Sequence, residues 1–127
     1  MNAGDTYIVP LPDTSVDSHL WVIISDPSQS DAVLIVNFTS WRGDKDQACV
    51  LDKGDHPYIS RRTCVNFRQA KVCAAAQLDE LARAGKMVHR EPLRPEILQR
   101  IRDAVPESWI SEDNAQMLVE QGLVELF

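Results

Sequence analysis

Side chains suited to proton transfer and phosphate binding recur at the ends of hydrophobic runs. His19 opens the run HLWVIIS, Thr39 and Ser40 close the run AVLIVNFTS, and Trp41 follows them. His56 lies in the stretch GDHPYISRR, beside Asp55 and Tyr58, and Arg61 and Arg62 end that stretch. Histidine exchanges protons near neutral pH, because its reference pKa lies there. Arginine presents a planar fork that matches phosphate oxygens. Thr39 and Ser40 can donate hydroxyl hydrogen bonds, and Trp41 can offer a stacking surface. Each has a structural alternative. His19 could cap a strand edge, and His56 could be a turn residue whose ring bonds a carboxylate. The arginines could be solvated, and strand-end hydroxyls are commonly satisfied locally. His89, between Val88 and Arg90, sits in a loop-like stretch and is read as incidental.

Other chemistries find less support. His19, Asp55, His56 and Cys64 are metal-ligand types but show no CxxC, HxxxH or HExxH spacing. No metal or cofactor is therefore expected. The chain carries no P-loop, GxGxxG or GxSxG, which leaves nucleotide hydrolysis, dinucleotide binding and α/β-hydrolase chemistry unsupported. The three cysteines, Cys49, Cys64 and Cys73, are sparse and odd in number. They read as reduced thiols in a cytoplasmic protein.

Charge is distributed unevenly along the 127 residues, whose formal net charge is −6. Residues 1–60 are acidic, with nine Asp against Arg42, Lys45 and Lys53. Residues 61–105 carry ten basic and five acidic residues, and 106–127 carry five acidic and none basic. The run from Arg61 to Lys71, which includes Arg62 and Arg68, has no acidic residue. Such a stripe can face phosphates, or be a solvated face balanced by the acidic end. The hydrophobic fraction of 44% fits a globular domain. No apolar run is long enough for a membrane span, and the first ten residues lack the pattern of a secretory signal.

These residues must be positioned by short strands followed by helices. Strand-like runs are expected at Asp5–Leu11, His19–Ser25, Ala32–Thr39, Ala48–Leu51 and Ser60–Lys71, separated by turns rich in Pro, Gly, Ser and Asp. Trp21, inside a continuously apolar run, reads as core. Helical spacing begins at Ala74–Gly85, where Gly85 is a stop signal. It returns at Pro95–Val105, which opens on a proline and carries an apolar stripe. A third helix is expected from an N-cap at Ser111. The expected class is α+β and mostly β: a small antiparallel barrel or sandwich, then helices. The one plausible internal boundary is near Pro106, separating residues 1–105 from an acidic helical extension at 106–127.

GDTYIVPLP, a polar loop and HLWVIISDP together resemble the opening of MazF/PemK-like toxins of type II toxin–antitoxin systems. VLIVNFTS is similar to that family's strand ending in Thr-Ser. RTCVNFRQAKV followed by LRPEILQRI resembles its later strand and helix more loosely. The resemblance covers about residues 4–105. It implies an SH3-like barrel, a homodimer, a cognate antitoxin protein as partner, and a metal-independent endoribonuclease acting on single-stranded RNA. His19 stands where the family has another basic residue, and GDHPYISRR has no counterpart of that form. Metal-free RNA cleavage needs a base for the 2′-hydroxyl, an acid for the leaving 5′ oxygen, cations for the phosphorane and a groove for an unpaired strand. On this reading His19, Thr39, His56 and Arg61 are catalytic. Ser40, Trp41, Tyr58, Arg62 and Arg68 bind substrate. A non-catalytic SH3-like protein-binding module, or an inactive toxin homologue, is the alternative.

Overall fold

The computed structural model describes residues 1–9 and 19–126; the expected polar loop after Pro12 and the end of the first strand lie outside the described residues. The strands are β1 (Thr6–Ile8), β2 (Leu20–Ile23), β3 (Ala32–Ser40), β4 (Val50–Leu51), β5 (Thr63–Ala74) and β6 (Val88–Arg90). The helices are α1 (Ala75–Arg83), α2 (Pro95–Ala104) and α3 (Glu112–Glu120), with a single 3₁₀ turn at Val105–Glu107. All strand pairs are antiparallel, in the order β4-β5-β3-β2-β1-β6. Among the described residues the fold is thus α+β: a curled six-stranded half-barrel with three helices. Among the described residues no helix is long and apolar enough to cross a membrane.

The curl has a local cause. Ile35 on β3 faces Lys71 on β5, but Asn37 faces Asn66, so residues 67–70 lie across from Val36 alone. Extra residues on one strand bend it and increase its twist. The first five residues of β3, Ala32–Val36, are apolar without a break because both faces of the strand are covered. Leu34, Val36 and Phe38 point inward with Leu20, Val22, Val65 and Phe67, and against Ile97, Leu98 and Ile101 of α2. Val33 and Ile35 point outward with Tyr7 and Ile23, under Leu78 of α1 and Met87. Helix α2 starts on Pro95, and α3 is capped by the Ser111 hydroxyl, which accepts from Asn114 N–H at 3.3 Å. Gly85 follows α1 at φ +73°, the left-handed conformation that ends a helix cheaply.

The chain beyond Pro106 packs into the same core as the strands. Ala115, Leu118 and Val124 belong to the inner cluster. Asp46, 4% exposed, accepts from the backbone N–H of Ala48 at 3.0 Å and of Trp109 at 2.8 Å. Trp21 packs, half-buried, against the outer core cluster, with Lys71 Nζ 5.3 Å from its ring centroid. One reading of the sequence needs correction. The stretch around His89 is the edge strand β6, paired with β1 through Tyr7 and His89. All three β6 residues are exposed, so no hydrophobic alternation marked the strand.

Candidate active-site cleft

The start of β2 and the end of β3 meet because the two strands are antiparallel neighbours, with Trp21 opposite Asn37. His19 therefore lies beside Phe38, and its Nδ1–H donates to the Phe38 carbonyl at 3.0 Å. That bond selects the tautomer in which Nε2 is the basic nitrogen. The loop from β4 to β5 runs past the same end of the sheet. Together they enclose a cleft of about 590 Å³ lined by His19, Thr39, Ser40, Tyr58, Ser60 and Arg61, with Leu20 and Phe38 at its apolar side. One imidazole, one guanidinium and several hydroxyls therefore line one cleft. Arg61 is exposed, as a cation that meets an incoming anion must be.

His56 is not among the residues of this cleft. It is 3% exposed, and both ring nitrogens are engaged. Nδ1 accepts from the Tyr58 backbone N–H at 3.0 Å, and Nε2–H donates to the Glu91 carbonyl at 2.6 Å. The same carbonyl accepts from the Thr6 hydroxyl at 2.7 Å. His56 thus ties the β4–β5 loop to the chain just after β6, across the seam between the sheet's two edge strands. Two ion pairs lie alongside, Arg94 and Arg100 to Asp55 at 3.8 and 3.7 Å. Both arginines are about half exposed, so these pairs contribute little stability.

The basic stripe is dispersed. Arg62 stacks over Trp41 at 5.7 Å and pairs with Asp52 at 3.3 Å. Arg68 lies 4.9 Å from the ring centroid of Trp109. Trp41, Arg62 and Arg68 do not line the cleft. No residue of 106–126 lines it either, so the acidic end does not cover it. Among the described residues, no group of three His, Cys, Asp or Glu gathers as a metal site. Burial pushes the Cys49 thiol up to about 11 and raises Cys64 and Cys73 as well, so the thiols are poor nucleophiles at neutral pH.

A second groove, of about 430 Å³, lies on the other side of Tyr58 and is lined by His56, Pro57, Tyr58, His89, Arg90 and Glu91. The Arg90 guanidinium sits 5.8 Å from the Tyr58 ring centroid. Ser60, His89 and Arg90 were not anticipated at the site. Ser60 is a bare strand-approach serine, and β6 reaches Tyr58 only through the closure of the half-barrel. No local spacing signals either. No family model matches the chain, and no curated protein matches it.

Proposed function

We propose that the cleft binds single-stranded RNA and cleaves it without a metal ion. The observation that carries this reading is the pairing of a tautomer-set imidazole with a guanidinium in one open cleft. His19 Nε2 takes the proton of the 2′-hydroxyl, and the 2′ oxygen attacks phosphorus. The bond from phosphorus to the 5′ oxygen breaks, and that oxygen leaves with the electron pair and takes a proton from water. The imidazolium then returns its proton to the hydroxide so formed. The products are a 2′,3′-cyclic phosphate and a 5′-hydroxyl. Arg61 offsets charge on the phosphorane, and Thr39, Ser40 and Ser60 offer hydroxyl donors to its oxygens. His56 is a positioning residue in this scheme, since its two nitrogens hold the backbone around Tyr58.

The reading places the protein with RNA in the cytoplasm, and includes a homodimer and a neutralising partner protein. Its test is incubation of the purified protein with mixed RNA in EDTA, with product ends mapped. Cyclic phosphate ends are expected. His19→Ala should lower the rate by about 10²-fold or more, because general-base catalysis contributes that much. Intact RNA in every mixture would favour the binding-module alternative, which the burial of His56 outside the cleft also favours.

A further inference from the structure

We infer that the two grooves flanking Tyr58 form one track for consecutive nucleotides, with Arg90 holding a phosphate beyond the one held at Arg61. This rests on the RNA reading of the cleft and extends it to a second subsite on β6.

Three observations support the track. Tyr58 lines both grooves, so it is their shared wall rather than a barrier between unrelated cavities. One exposed arginine lines each groove, Arg61 on one side and Arg90 on the other. Finally, the wall is held in place. Tyr58 N–H is bound by His56, and His56 is bound to the Glu91 carbonyl, so the loop carrying Tyr58 is fixed to the strand carrying Arg90.

The ligand class follows from the chemistry. Two cations along a path, separated by an aromatic ring, fit a chain that alternates phosphates with flat bases. A base can stack on Tyr58, and stacking tolerates any sequence. The guanidinium already lying near that ring can share the stack. The path is a single-strand path, because a base must leave its duplex partner to lie on the ring. Glu91 also lines the second groove, so the phosphate belongs on the Arg90 side of it.

The experiment measures binding of 2′-O-methyl oligonucleotides, which cannot be cleaved, by fluorescence anisotropy at low salt. A dinucleotide carries the single phosphate assigned to Arg61, and a tetranucleotide carries two more that can extend toward Arg90. Wild-type protein should bind the tetranucleotide about tenfold or more tightly, through the phosphate held at Arg90 and the base stacked beside its guanidinium on Tyr58. Arg90→Ala should bring the two affinities close together. It should also lower the salt slope for the tetranucleotide by about 0.7, the single-strand value for one phosphate contact. Glu91→Gln should raise the gain with length. It leaves His56 anchored, because His56 bonds the Glu91 backbone and not its carboxylate. Thermal melts confirm that each variant folds. The same gain with length in wild type and Arg90→Ala would overturn the track, as would no gain in wild type, while the cleft reading would stand. Failure of wild type to bind either oligonucleotide would remove the RNA reading and the track with it.

Discussion

Replacing His56 by alanine should unfold the protein more readily, rather than spare the fold and abolish chemistry. The ring is 3% exposed and makes two backbone hydrogen bonds, one on each side of the seam. Each contributes roughly 0.5–1.5 kcal/mol net, and an acceptor or donor left unpaired costs about 1–3 kcal/mol. The Glu91 carbonyl keeps the Thr6 hydroxyl, so the orphaned group is the Tyr58 N–H. Adding the space left by the ring, the loss is about 2–4 kcal/mol. At this chain length a kcal/mol moves the melting temperature by about 3–5 °C, so a drop of about 6–20 °C is expected. Asp55→Asn, which removes the two exposed ion pairs at the same seam, should cost less than about 1 kcal/mol. Two partial mimics separate the bonds. Asparagine can present an acceptor near the Nδ1 position and restore the bond from Tyr58 N–H. Glutamine can present a donor near Nε2 and restore the bond to Glu91. Each should recover roughly 1 kcal/mol of the alanine loss. Urea unfolding of the four variants, with hydrogen exchange at Tyr58, measures this. A His56→Ala protein as stable as wild type, with Tyr58 N–H still protected, would refute the seam as described.

Stability should also fall in alkali. Burial holds the Tyr7 phenol at a pKa of about 12 instead of 10.0, with Asp5 and Asp79 adding to the shift, and holds Cys49 at about 11 instead of 9.0. Both folded values are raised, so the contribution is complete below pH 9 and is lost as pH rises through 9–11 for Cys49 and 10–12 for Tyr7. Tyr7→Phe should flatten the upper part of that decline, and an unchanged profile would show that Tyr7 does not titrate on unfolding. Since the Tyr7 hydroxyl has no hydrogen-bond partner among the described residues, Tyr7→Phe should cost nothing measurable at neutral pH. Leu118→Ala, which empties a fully buried position where α3 meets the strands, should cost about 2–5 kcal/mol by chemical denaturation. Asp46→Ala should cost about 1–3 kcal/mol, because the backbone N–H groups of Ala48 and Trp109 lose their acceptor; a neutral result would mean water replaces the carboxylate.

What could be read from the chain, and what could not, follows from how far apart the interacting residues lie. The runs that became β3 and α2 are long, and their apolar spacing states which faces are covered. Strand β6 is three exposed residues, and its existence depends on β1 offering an edge. No window around His89 contains that information. His19 and His56 look alike in sequence, each polar and next to a strand-like run. Their difference lies in their partners: His19 bonds Phe38 on the neighbouring strand, whereas His56 bonds a carbonyl beyond β6. The first partner follows from a hairpin, but the second needs the whole sheet to have curled. The partners of the basic stripe were hidden for the same reason. Residues 67–70 bulge out of register, and Arg62, Arg68 and Lys71 end against Trp41, Trp109 and Trp21, three rings drawn from separate parts of the chain. Arg61, just ahead of β5, was left beside the end of β3 and so reached the cleft. The curl therefore does two things at once. It sets Arg62, Arg68 and Lys71 against three different rings, and it brings Arg90 to Tyr58 from the opposite edge of the sheet. A half-barrel whose edges are joined by one buried histidine places its closing contact next to its cleft, so mutations in the β4–β5 loop should change stability and ligand binding together.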